Sequence, residues 1–524
     1  MNFRTLWFAL AVMMASAPLL HARDNDSDKS RQSFTERLDR QAETLGNKLH
    51  RLEVEYKAYR LEAELKARGY EVARGSFKLF TIDDCQYTIA VIGNCLGDNP
   101  AAPYAIAGVP LWPDEFVDES LRNLIGPLPN DAWATYRFDK REAVLVFGLL
   151  PPPGKYFGLQ TYVFTRAAKI NTSDPVYQNT LADPVLHRIL FSALPKNPSR
   201  LTMFASIGNS NNNVVIERQS GAAFNQQRSF VISPDAAMAR EMTDALVHAR
   251  VSDPSQVFTE PVSPELARVG LGAEADDFIT IIRYAQPEDE QAGAQWRQQL
   301  PLAVLRVRDK NANATEPWPT PAYDPKTGHS ELGLEGDLTA LAAAVKQQWG
   351  QPSATVGQFQ SLQLSVDLIG QHCLPRPMNC LGDTQDTDYQ VSPAVSVDDG
   401  KVIAVAGTLG TATGNATYVG LSVNWMDVLK GVANVSDKVL QGSAAGFSGA
   451  VRNTEKLYVH YFARDCTGLP DCLAITEDMI PRGATIKIIQ RNYVVPGTAR
   501  GPDPHLLVNP VTIVLDGAAR SASR

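Results

Sequence analysis

From residue 38 to residue 63 the apolar positions recur every three or four places: Leu38, Ala42, Leu45, Leu49, Leu52, Tyr56, Tyr59 and Ala63. This is the a/d seam of a coiled coil, held for nearly four heptads, and it predicts a long helix over 31–71. Most other positions there are Arg, Lys, Glu or Gln, and Gly46 weakens the helix a little. Two readings share that seam: an oligomerisation stalk, or a helix laid on a β domain of its own chain.

After Ser76 the pattern changes to short runs of period two, separated by Pro, Gly, Asn and Asp. These predict strands at 77–82, 143–147, 156–164, 201–207, 213–217, 229–232, 278–284 and 303–307. Helices are expected at 114–125 and from Pro234 to His248, the latter capped by Ser233. Residues 309–335 have linker composition. A helix capped by Asp337 follows to Trp349, and a strand at 360–366.

The pentapeptide Asn94-Cys95-Leu96-Gly97-Asp98 returns as Asn379-Cys380-Leu381-Gly382-Asp383. Three further landmarks recur in order. The strand 143–148 leading to Tyr156-Phe157-Gly158-Leu159 matches 402–407 leading to Tyr418-Val419-Gly420-Leu421. The segment 219–224 matches 442–447, and 279–283 matches 486–490. Such order implies two tandem copies of one domain. Missing helix crossovers exclude a parallel α/β sheet. The expected fold is all-β: two duplicated jelly-roll-like β-sandwich domains behind a long N-terminal helix. The predicted division is 1–22 signal peptide, 23–75 helix, 76–309 first sandwich with helical insertions, 310–358 linker with one helix, 359–517 second sandwich and 518–524 polar tail.

Composition narrows the partners. The chain has 524 residues, a net charge of −8 and no basic cluster interleaved with aromatics, which argues against nucleic acid. Arg4 followed by an apolar run to Leu20 reads as a secretory signal, with cleavage expected after Ala22. No later stretch reaches the length of a membrane span. The expected location is secreted or periplasmic. There an even cysteine count favours disulfides, and local pairing is expected: Cys85 with Cys95, Cys373 with Cys380, Cys466 with Cys472. A zinc site is the rival reading, but it lacks C-x₂-C spacing and nearby histidines other than His372. No metal or cofactor is expected.

The run from Asn99 to Tyr104, followed by the strand, Pro/Gly turn and Tyr-Phe strand of 143–164, resembles exported bacterial proteins with tandem β-sandwich domains of unknown function. The resemblance implies the two β domains and no activity, and it assigns no catalytic residue.

Candidate chemistry is sparse. The Gly-rich 407–414 lacks the Lys and helix of a phosphate loop, and Gly446-Phe447-Ser448-Gly449-Ala450 departs from the nucleophile elbow. Asp383, Asp386 and Asp388 cluster in one loop. They can bind Ca²⁺, act as an acid/base pair, or simply form a solvated turn. His460 and His505, the latter next to Asp503, are candidate general bases or structural histidines. Arg491, Tyr493 and Arg500 form a polar stretch suited to a carboxylate or sugar, or a plain loop. The leading expectation is an exported protein that binds a carbohydrate or another small polar ligand. The alternatives are a glycosidase-like hydrolase using Asp/Glu or Asp/His, and an assembly subunit that forms homo-oligomers through 31–71.

Overall fold

The computed structural model describes residues 26–312, 314–361, 367–382 and 385–517, without the side chains of 26–45 and 47. The expected signal peptide, Asp383, most of the expected strand at 360–366 and the expected tail at 518–524 lie outside the described residues. The chain forms two compact units, 1–49 and 50–524. The first is helical wherever it is described, and the second contains every strand.

The fold is mostly β, with short helices and a sandwich-like stacking of sheets. Ten principal strands occupy the first half: β1 (Glu71–Arg74), β2 (Ser76–Leu79), β3 (Tyr104–Gly108), β4 (Glu142–Leu149), β5 (Gly154–Ala167), β6 (Asn197–Ser206), β7 (Gln227–Ser233), β8 (Val257–Pro261), β9 (Asp277–Pro287) and β10 (Leu302–Arg308). Ten follow in the second half: β11 (Thr355–Gln358), β12 (Gln360–Ser361), β13 (Thr387–Val391), β14 (Lys401–Thr408), β15 (Tyr418–Trp425), β16 (Lys430–Ser436), β17 (Leu457–Ala463), β18 (Cys472–Ala474), β19 (Thr485–Tyr493) and β20 (Val511–Asp516).

The second half repeats the strand order of the first. Sheet I runs β1-β10-β4-β7-β8 and sheet III runs β11-β20-β14-β17-β18. Sheet II runs β2-β3-β9-β5-β6 and sheet IV runs β12-β13-β19-β15-β16. Even the single parallel pairing of each first sheet recurs, β8 on β7 and β18 on β17. Register corrects the expected alignment of the last landmark by one residue. Arg283 lies opposite Gly158 and Tyr104, and Arg491 opposite Gly420 and Tyr389, so Arg283 corresponds to Arg491 and Ile279 to Lys487. A one-residue slip exchanges the two faces of a strand, so this correction decides what β19 presents outward.

Alternation places the cores. In β4, Val144 and Val146 turn inward against Phe157, Leu159 and Val163 of β5, while Ala143, Leu145 and Phe147 turn outward. In β14, Ile403 and Val405 meet Val419, Leu421 and Val423, and Val402, Ala404 and Ala406 turn outward. Helices cover both outward faces. Val54, Ala58, Leu61 and Leu65 of helix α1 (Asp26–Ala67), all within the second unit, and helix α2 (Ala236–His248) pack on sheet I. Helix α3 (Glu335–Gln348) packs on sheet III through Leu338, Leu341 and Val345. Each fully buried Leu or Val of these helices contributes about 1.5–3 kcal/mol.

α1 does not lie on its domain by the expected seam. Val54, Ala58, Leu61 and Leu65 are buried, whereas Leu49, Leu52, Tyr56, Tyr59 and Ala63 are exposed. Several local expectations also change. Residues 213–217 are not a strand but part of a helix, Asn213–Ser220, because the Asn212 side chain accepts from the Val215 amide as a cap, and Ile216 is buried. At 114–125 only a 3₁₀ turn forms, Glu119–Leu121. Glu115 and Asp114 instead turn to pair with the buried Arg306 and Arg308, at 2.6 and 2.9 Å. α2 is capped by Asp235, which accepts from the Met238 amide, rather than by Ser233. Asp337 lies within α3, where its carboxylate accepts from Asn453 at 2.6 Å.

Candidate functional site

The repeated pentapeptides take the same shape. In each, the Asn side-chain Oδ1 accepts from the Leu amide two residues on at 2.9 Å, for Asn94 and for Asn379. In each, the Leu and Gly adopt left-handed backbone, with φ of 60° and 61° for Leu96 and Gly97 and 57° and 81° for Leu381 and Gly382. The expected disulfides Cys85–Cys95 and Cys373–Cys380 close the two loops, and Cys466–Cys472 closes a third.

Each pentapeptide docks on the opposite half. The Cys95 amide donates to the Val428 carbonyl at 2.8 Å and the Gly97 amide to the Leu429 carbonyl at 3.1 Å. Reciprocally, the Cys380 amide donates to Met203 at 2.7 Å and the Gly382 amide to Phe204 at 2.9 Å. The strand pairs Tyr162–Ser206 and Asn424–Gly431 make Phe204 and Leu429 equivalent, and both have positive φ. The exchange is therefore a pseudo-twofold contact, isologous as in a symmetric dimer.

That exchange encloses a cleft of about 650 Å³ between the outer face of sheet IV and the first half. β13 and β19 contribute Tyr389, Lys487, Ile489, Arg491 and Tyr493, and both pentapeptides contribute, through Asn94, Leu96, Gly97, Asn379 and Leu381. The corresponding face of sheet II is filled. There Tyr104, Ile106, Ile279 and Ile281 pack under Phe80, Leu121, Leu124 and Ile125, so the insertion before β4 occupies what the second half leaves open.

Two cations line the cleft. The Arg491 guanidinium lies 5.5 Å from the centre of the Tyr389 ring, donates to the Gly97 carbonyl at 3.3 Å and to the Ser422 hydroxyl, and makes no ion pair among the described residues; its charge nevertheless reaches the buried Asp98, whose carboxyl burial pushes up to about 6. Lys487 donates to Asp183 at 2.7 Å. Asp183 also caps the helix Pro184–Leu190 by accepting from the Val185 and Leu186 amides. Burial pushes its carboxyl up, but Lys487 and those amides outweigh burial and hold it below the ordinary range. Asn99, Gln358 and Gln360 add amide groups to the rim, and Leu429, Met426 and Phe204 supply apolar wall.

The remaining sequence candidates lie elsewhere. Asp386 is buried at the junction of the halves, where Tyr156 donates to it at 2.7 Å and Ser210 also bonds it. Tyr418 and Tyr493 stack beside Tyr156, with the first pair of rings 4.5 Å apart. Asp388 accepts from Ser361 at 3.0 Å, and burial pushes its carboxyl up to about 6 despite Lys326. It neighbours Tyr389 in β13 and so faces away from the cleft. Arg500 bonds Gln385 at 2.9 Å and lies over the Tyr323 ring. Asp503 caps the His505 amide, and His505 is exposed. His460 sits inside the second sandwich core beside Phe462 with neither ring nitrogen bonded, and burial lowers its pKa to about 4. A buried histidine without a base partner or access is a poor general base. Cys85, Cys95 and Asp98 come within metal-binding distance, but both sulfurs are in the disulfide.

Sequence reasoning reached Arg491 and Tyr493 but missed Tyr389, Lys487 and Asp183. The alternation Lys487, Ile489, Arg491, Tyr493 was the available signal. The one-residue slip in the internal alignment concealed it.

No family model and no curated protein matches the chain. Among solved structures it is similar to an uncharacterised protein from Burkholderia cenocepacia, at 12% identity and a TM-score of 0.38, over 85% of this chain and 82% of that one.

Proposed function

We propose that this is an exported ligand-binding protein built from two tandem, duplicated β-sandwich domains, each carrying its own packed helix. It takes a small polar ligand, foremost a carbohydrate bearing an acidic group, in the cleft between them. One observation carries this reading: Arg491 lies over the Tyr389 ring in a cleft of about 650 Å³ and makes no ion pair among the described residues, the nearby Asp98 being buried with its carboxyl pushed up to about 6. A guanidinium over an aromatic ring and tied to two fixed acceptors is preorganised for a carboxylate, and the surrounding amides suit hydroxyl groups. Three disulfides and the absence, among the described residues, of a helix long and apolar enough to cross a membrane support the exported part of the reading.

Binding is favoured over hydrolysis by the same cleft. Glycosidic cleavage uses two carboxyl groups flanking the bond. Among the described residues the cleft offers Asp183 alone, already tied to Lys487.

The test is calorimetric titration with matched neutral and uronic-acid mono- and oligosaccharides. Binding of acidic members that Arg491→Ala abolishes is the expected result. Failure of the wild type to bind any member, or binding indifferent to Arg491→Ala, overturns the proposal.

A further inference from the structure

α1 has two apolar stripes on opposite sides, and its own domain uses one. Val54, Ala58, Leu61 and Leu65, spaced four-three-four, are buried against sheet I. Leu49, Leu52, Tyr56 and Tyr59, spaced three-four-three, are 61%, 66%, 62% and 66% exposed. With the exposed residues at a and d, the buried ones fall at c and f, on the far side of the wheel. Large apolar side chains exposed in a heptad row mark an interaction surface, whereas scattered ones do not. The spacing continues upstream in sequence to Leu45, Ala42 and Leu38.

We infer that this stripe docks a second copy of the chain, as a parallel two-stranded coiled coil. The flanking charges choose the occupant. With Leu49 and Tyr56 at a, the g positions are Lys48 and Glu55 and the e positions are Glu53 and Arg60. In a parallel, in-register pair each g residue meets the e residue five places on in the other helix. Lys48 then meets Glu53 of the partner subunit, and Glu55 meets Arg60 of the partner subunit. Both pairs are opposite in sign, so the helix complements itself. Within one chain Glu55 pairs with Arg74 and Glu53 with Lys57, exposed contacts that can exchange at little cost. None of the residues of the exposed stripe lines the cleft, so the test of dimerisation is separate from the test of ligand binding.

The test is multi-angle light scattering of the full chain at tens of micromolar. The wild type is expected to run as a dimer, and Leu52→Glu with Tyr59→Glu as a monomer with unchanged circular dichroism and cooperative melting. Two further variants address the partner. Lys48→Glu with Arg60→Glu makes all four flanking positions acidic, and Glu53→Lys with Glu55→Lys makes them basic. Each alone should be monomeric, and an equimolar mixture should restore the dimer. Leu52→Cys should form an interchain disulfide, as facing d positions of a parallel pair allow. A monomeric wild type, or a dimer indifferent to the Leu52 and Tyr59 substitutions, overturns the inference. Homodimers of the acidic and basic variants overturn the charge argument.

Discussion

Arg491 lies 5.5 Å over the ring of Tyr389, and Arg283 lies 5.1 Å over the ring of Tyr104 at the equivalent place in the first half. One arrangement serves two ends. Arg491 and Tyr389 both line the cleft, whereas of the other pair only Tyr104 reaches its wall and Arg283 is buried. Divergence around a shared pair, rather than a new motif, makes the candidate site.

Arg491→Ala is therefore expected to weaken binding of the acidic saccharide at least tenfold, about 1.4 kcal/mol. Arg491→Lys should not rescue it, because an ammonium lacks the planar fork of donors. Calorimetric titration of both variants checks this.

The three disulfides should differ in consequence although their loops are of similar length. Chain entropy gives each about 2–3 kcal/mol. Replacing Cys373 and Cys380 by Ser also loosens the clamp of Cys380 and Gly382 on Met203 and Phe204, so that variant should lose ligand binding as well as stability. Replacing Cys466 and Cys472, which lie at the β17–β18 connection, should lower only the urea midpoint.

His460 makes stability depend on pH. Burial lowers its pKa from 6.5 to about 4, so between those values the unfolded chain binds the extra proton. Its contribution is fully present above pH 6.5 and is lost as pH falls towards 4, by up to about 3 kcal/mol. Urea denaturation at pH 7 and pH 5 should show a smaller difference for His460→Phe than for the wild type.

Gly370 sits where the halves cross. A Cβ there would lie 1.8 Å from the Ser206 carbonyl oxygen, which is backbone and cannot swing aside. Gly370→Ala should cost about 3 kcal/mol or more. Gly446→Ala, with nothing within 4 Å of its added Cβ, should be nearly neutral in the same denaturation assay.

The sequence by itself determined what depends on local or periodic information. Alternating residues such as Val144 and Val146 named their own inward face, the short loops 85–95, 373–380 and 466–472 specified their disulfides, and the paired landmarks foretold the repeated strand order. The apolar stripe of α1 was legible as a heptad, but which of its two stripes its own domain would take was not. Val54, Ala58, Leu61 and Leu65 include two small or β-branched residues and are weaker as a pattern than Leu and Tyr, yet they fit the sheet. Only tertiary structure decided the site. Asn94 and Asn379 stand far apart in sequence and meet at one cleft because each disulfide loop bonds main-chain carbonyls of the other half, in the β15–β16 turn and in β6 respectively. Hydrogen bonds between main-chain groups carry almost no side-chain signature, so neither that exchange nor the cavity it encloses could be read from residue types alone.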